Sequence, residues 1–153
     1  MRRQLATTRR RWVLGILVAA IVVLAVGASQ GLAGASGNVT TVTVPVQKHN
    51  SNCGFDTGKP FIGKARITLA EDGTLSVMIQ LTGADPGEYE LQLWTDDPAN
   101  FCIGVDEIGS FTVGSSGGAS RVFTACCYSS GLYFLDARNT SIFKDNDTLI
   151  FKL

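Results

Sequence analysis

Between Ala65 and Leu81 the chain alternates apolar and polar residues on both arms of a single turn, and few folds accommodate that pattern. Ala65, Ile67 and Leu69 share one parity; beyond Glu71-Asp72-Gly73-Thr74, Leu75, Val77, Ile79 and Leu81 share the next. The opposite parity carries Arg66, Thr68, Ser76, Gln80 and Thr82. A period of two sends successive side chains to opposite faces, which is the geometry of a strand. An Asp-Gly pair between two such arms is a hairpin signal. The segment therefore predicts two antiparallel strands with one buried and one solvated face.

The rest of the chain repeats this grammar. Asn38 to Gln47 is rich in β-branched residues and reads as an entry strand, confined to an edge because Pro45 lacks an N–H. Lys48 to Pro60 is polar and glycine-containing, hence loop. Gly83-Ala84-Asp85-Pro86-Gly87 turns the chain, and Tyr89, Leu91 and Leu93 then alternate with Glu88, Glu90 and Gln92. Thr95 to Ile108 reads as an irregular acidic loop. Short strands follow at Ser110–Val113, Ser120–Ala125, Leu132–Asp136 and Thr148–Leu153. Seven to eight short strands with no helical period predict an all-β fold, a Greek-key antiparallel β-sandwich.

A different physics governs the front of the chain. Met1 to Arg11 holds five arginines and no acid; Val13 to Val26 is entirely apolar or glycine; Gly27 to Gly37 is rich in small residues. This is the order of a secretory signal, with candidate cleavage after Ala28 or Ala35. Thr8 to Leu14 loosely resembles a twin-arginine export signal. The competing reading is an uncleaved anchor helix, in which Trp12 and the Gly27 to Ala35 stretch extend a short apolar run toward the ~20 residues of a span. Positive-inside orientation would then leave the C-terminal part outside. No cysteine follows the apolar run, which argues against a lipid anchor. Residues 1–35 are thus expected as signal peptide or anchor, 36–62 as entry strand and cysteine-containing loop, and 63–153 as the sandwich body, one domain with 36–62.

The formal net charge is zero, but the two ends differ. Beyond Ala35 the chain has eight basic residues against all thirteen acids, a net of −5. With no basic cluster, nucleic acid is excluded as a partner. An unknown protein or a glycan remains, with the membrane reached through the N-terminal helix if that is retained.

All four cysteines, Cys53, Cys102, Cys126 and Cys127, lie in this acidic part. In an oxidising compartment they are disulfide candidates with three possible connectivities. Neighbouring cysteines seldom join each other, since an eight-membered ring strains the peptide. Each of Cys126 and Cys127 is therefore expected to pair with a distant cysteine. The functional alternative is a redox or metal-thiolate protein using the vicinal pair.

From Gly63 to Phe123 the pattern resembles the copper/zinc superoxide dismutase-like sandwich, and chordin-type domains share a similar grammar. The resemblance is carried by Ala65-Arg-Ile-Thr-Leu69, Asp72-Gly-Thr-Leu-Ser-Val77, Leu81-Thr-Gly-Ala-Asp-Pro-Gly87, Asp106-Glu-Ile-Gly-Ser-Phe111 and Gly117-Gly-Ala-Ser-Arg-Val122. In the enzymes the strand after the Pro-Gly turn carries a His-x-His metal pair; here those positions are Gln92 and Trp94. With His49 the one histidine of the chain, a site of several imidazoles cannot be assembled. The resemblance implies a kept scaffold without the metal chemistry.

No catalytic constellation is recognisable. His49 has no nucleophile elbow to serve and reads as a solvated loop residue. The acidic groups Asp96-Asp97, Asp106-Glu107 and Asp145-Asn146-Asp147 could lend oxygens to a calcium ion stabilising a loop, although no EF-hand loop is present. Trp94 either faces outward, where its ring could stack on a sugar or partner, or packs beneath the following loop against a disulfide. Asn38, Asn139 and Asn146 head glycosylation sequons. The sequence-based expectation is a non-catalytic extracytoplasmic module, secreted or anchored, with a binding or structural role.

Overall fold

A computed structural model describes residues 39–95 and 102–153. The strands, in chain order, are β1 Thr40–Gln47, β2 Phe61–Leu69, β3 Leu75–Leu81, β4 Gly87–Thr95, β5 Ile103–Val113, β6 Ala119–Ala125, β7 Leu132–Asn139 and β8 Phe151–Lys152. They form two four-stranded antiparallel sheets, ordered β1-β2-β3-β6 and β5-β4-β7-β8. The described residues are thus all-β, as the alternation requires. The expected N-terminal helix falls on residues outside the described ones.

The central hairpin forms as its pattern dictates. Leu69 pairs with Leu75 across the turn, and Thr68 pairs with Ser76. Gly73 takes φ +81°, a left-handed conformation that costs glycine nothing, and the Asp72 carboxylate accepts from the Thr74 N–H at 2.8 Å. All seven apolar residues of the two arms are buried. Burying each large aliphatic side chain contributes roughly 1.5–3 kcal/mol. Tyr89, Leu91, Leu93, Phe111, Val113, Leu135 and Phe151 meet them from the second sheet in one shared core.

Two tyrosines pin the chain where it enters strands of the second sheet. Tyr89 Oη donates to the Asp85 carbonyl at 2.8 Å, and Tyr133 Oη donates to the Ser129 carbonyl at 2.7 Å. Each ring lies in the core while its hydroxyl closes a loop four residues upstream, so the polar tip is satisfied.

Three sequence expectations change. Both ends of the expected acidic loop from Thr95 to Ile108 are strand, because β4 runs to Thr95 and β5 begins at Ile103. Register shifts at Leu91/Gln92 and Trp94/Thr95 break the alternation there. The strand expected at Thr148–Leu153 is reduced to Phe151–Lys152. Residues 147–150 bond elsewhere: the Gln47 N–H donates to the Asp147 carbonyl at 2.8 Å, the Leu149 N–H to the Pro45 carbonyl at 3.2 Å, and the Ile150 N–H to the Gly54 carbonyl at 3.1 Å. β1 is an edge strand containing Pro45, as expected, but this C-terminal segment covers part of it.

The third change concerns the outer face of the second sheet, which the alternation at Glu88, Glu90 and Gln92 marks as solvated. Gln92 and its cross-strand partner Asp136 are both buried there. The Asn146 N–H donates to Asp136 Oδ1 at 3.1 Å, and the Thr148 hydroxyl accepts from the Leu135 N–H at 2.9 Å. The segment after β7 therefore folds back over the sheet.

Candidate functional site

That fold-back creates a cavity of about 150 Å³ at one end of β4 and β7, with Trp94, Phe134, Asp136, Asp145 and Asp147 on its walls beside Cys53 and Cys102. Trp94 and Phe134 are direct cross-strand partners, and their rings stack at 5.9 Å with 9° between planes. Trp94 is half-buried. Its indole N–H is buried and has no hydrogen-bond partner among the described residues. An orphan donor of this kind costs about 1–3 kcal/mol.

The carboxylates beside it are electrostatically unusual. Asp136 is pushed up to about 8, chiefly by burial and then by the negative charge of Asp147. Asp147 is pushed up to about 7, again by burial first, although the Gly54 N–H donates to its Oδ2 at 3.1 Å. Near neutral pH these groups can either donate or accept a hydrogen bond. Asp145 is more open and lies 3.7 Å from the Arg138 guanidinium.

The remaining wall comes from the loop between β1 and β2. Gln47, fully buried at the end of β1, accepts from Asn50 and Thr57 and donates to Asp56. This network fixes the loop so that Cys53 meets Cys102, and the two form a disulfide 49 residues apart in sequence. Gly54 packs directly on Phe134, where any added Cβ would come within 2.7 Å.

The second pair of cysteines behaves differently. Cys126 and Cys127 are both free and exposed, so the expectation that each joins a distant cysteine is corrected. The distant cysteines have taken each other, because the Gln47 network brings them together. Cys126 and Cys127 follow the last residue of β6, their sulfurs 2.8 Å apart, with Cys127 at φ +77°.

His49 is not a solvated loop histidine. Its Nε2 lies 2.6 Å from Asp85 Oδ2, while Lys48 Nζ holds Oδ1 at 2.7 Å. The Lys48 and His49 hydrogen bonds keep the Asp85 carboxyl below its ordinary range. Two sequons are closed to modification in the folded chain. Asn139 and Asn146 are almost completely buried, and the Asn139 side-chain oxygen accepts from the backbone of Ser141 and Ile142. Asn38, Asp96 and Asp97 lie outside the described residues. Asp106 and Glu107 are exposed on β5. Among the described residues no group of three or more His, Cys, Asp and Glu side chains is arranged to hold a metal ion.

Sequence reasoning finds Trp94, both disulfide partners, Asp145 and Asp147, but misses Phe134 and Asp136. The available signal is Asp136 itself, a carboxylate sharing strand parity with Leu132 and Phe134. No protein-family model matches the chain, and no curated protein matches it.

Proposed function

We propose that the protein is a non-catalytic extracytoplasmic module, secreted or held at a membrane by its N-terminal apolar segment, which binds a partner at the Trp94 cavity. The observation that carries this reading is the Cys53–Cys102 disulfide, since such staples persist where the surroundings are oxidising. The basic, apolar and small-residue order of residues 1–37 supports the same compartment. A Greek-key scaffold of the superoxide dismutase-like kind fits the return of β6 beside β3 and of β7 beside β4. At the positions where that family has its metal pair, Gln92 donates to Glu90 and Trp94 stacks on Phe134.

The chemistry of the cavity favours a hydroxyl-rich ligand, of which a glycan is the natural class. An aromatic wall, an N–H lacking an acceptor and carboxyl groups able to donate or accept suit a sugar edge.

Cell fractionation with intact mass of the natively purified chain tests the compartment. The expected result is extracytoplasmic protein with Cys53 and Cys102 resistant to alkylation until reduced. Cytoplasmic protein with four alkylatable thiols would overturn it. Titration with a panel of soluble oligosaccharides tests the site through the heat of binding in isothermal calorimetry. A saturable change that Trp94→Phe abolishes supports it; a change surviving that substitution, or none across the panel, removes it.

A further inference from the structure

In a strand, neighbouring side chains point to opposite faces, so two adjacent thiols ordinarily cannot meet. Here they do. The left-handed φ of +77° at Cys127 breaks the alternation and brings both sulfurs to one side, 2.8 Å apart. Two unbonded sulfurs normally rest about 3.6 Å apart, whereas a disulfide needs about 2.05 Å. The pair thus sits between contact and bond. A non-glycine residue in this region of φ is strained and persists only where its surroundings impose it.

The surroundings do impose it. Ala125 is paired to Leu75 at the end of β6, and the Tyr128 N–H donates to the Gly73 carbonyl at 3.1 Å. A Cβ on Gly73 would come within 2.9 Å of the Tyr128 carbonyl, so hairpin turn and cysteine segment are in close contact. Ser129 is held in turn by the Tyr133 hydroxyl. The dithiol is fixed on both sides while both sulfurs remain open to solvent. A cavity of about 190 Å³, lined by Cys127, Tyr128, Tyr133, Asp106 and Thr95, lies beside it.

We propose that Cys126 and Cys127 are a redox-active dithiol that closes to a vicinal disulfide by exchange with an external low-molecular-weight disulfide. The Cys126 thiolate attacks one sulfur of that disulfide, forming a mixed disulfide and releasing the first small thiol. Cys127 then loses its proton and attacks the Cys126 sulfur, which releases the second small thiol and leaves the eight-membered ring. Two protein thiols are oxidised and one external disulfide is reduced to two thiols. The neighbouring Cys126 sulfur raises the Cys127 thiol above its ordinary range. The ring is strained, because consecutive Cα atoms are about 3.8 Å apart and an unstrained disulfide spans at least about 4.4 Å. It is therefore readily reopened, unlike the Cys53–Cys102 staple.

The proposal is independent of where the protein resides, and its test uses the full chain. The protein is equilibrated in buffers of reduced and oxidised glutathione, quenched in acid, alkylated, and analysed by intact mass and peptide mapping. The expected result is joint loss of both alkyl labels from the Cys126-Cys127 peptide in a single two-electron transition, without accumulation of a glutathione adduct. Cys127→Ser should leave the mixed disulfide on Cys126 unable to close the ring and trap glutathione on Cys126. Persistent adducts on the unaltered chain, disulfide-linked dimers, or two labels retained at high oxidised glutathione would each overturn the proposal. So would a Cys127→Ser chain that takes up no glutathione.

Discussion

Asp136 and Asp147 are paired across an isolated antiparallel bridge, both nearly inaccessible to water and both carrying a carboxyl group. Burial first, then the charge of Asp147 on Asp136 and of Asp145 on both, raises them to about 8 and about 7, above the ordinary value of 3.8. Their contribution to stability is complete below pH ~4 and is lost as pH rises through 7 and 8. Asp56, Asp72 and Asp85 are shifted the other way, so their contribution falls only as the pH drops below about 4. The unfolding temperature is expected to peak at pH ~4 and to decline toward pH ~8.5. Asp136→Asn, which keeps an acceptor for the Asn146 N–H, should flatten that decline in thermal melts across the range.

Removing the Cys53–Cys102 bond by a double serine substitution frees a loop of 49 residues in the unfolded chain. The chain-entropy relation gives a loss of about 4 kcal/mol. Urea titrations at fixed pH should show a lower midpoint, and an unchanged midpoint would mean that the bond adds no stability.

Gly54 and Gly58 form an internal control. Both have positive φ, +74° and +69°, but a methyl group on Gly54 meets Phe134 within 2.7 Å, whereas one on Gly58 meets nothing. Gly58→Ala should cost about 1 kcal/mol from the backbone alone. Gly54→Ala should cost about 2–4 kcal/mol, since overpacking is added to the same strain. Equal losses in chemical denaturation would show that Phe134 yields freely.

Tyr89→Phe removes one hydroxyl and leaves the ring in the core. The Asp85 carbonyl keeps only the longer bond from Asn139 Nδ2 at 3.4 Å, and the expected cost is about 1 kcal/mol. Asp85→Asn touches only ion pairs that are about one-third exposed, so it should cost less than 1 kcal/mol and less still at high salt. Melts of both variants in low and high salt separate the two contributions.

The hairpin from Ala65 to Leu81 is legible because each inward residue reaches a single core and each outward one reaches water. Only the Ser110–Val113 end of β5 is legible; its first part is not, because Gly104 and Gly109 interrupt it and the register shifts in its pairing with β4 remove the parity that would reveal it. The cavity is half legible. Trp94 and Cys102 stand out by residue type, but Asp136 is buried by a segment that returns over the sheet from ten residues downstream. No local pattern encodes that return. The vicinal cysteines are visible by type alone; their convergence depends on one backbone angle at Cys127, which residue type does not announce.

The closure of β1 by residues 147–149 has a consequence for timing. The Pro45 and Asp147 carbonyls and the Gln47 and Leu149 N–H groups join places about one hundred residues apart. Val46, fully enclosed in the core, bridges to Thr148 at the same place. While a ribosome is still delivering the last tenth of this chain, the sandwich has no way to seal its first strand. The central hairpin can form early, but the finished domain must wait for residue 149, so synthesis rather than local propensity sets the earliest moment of folding.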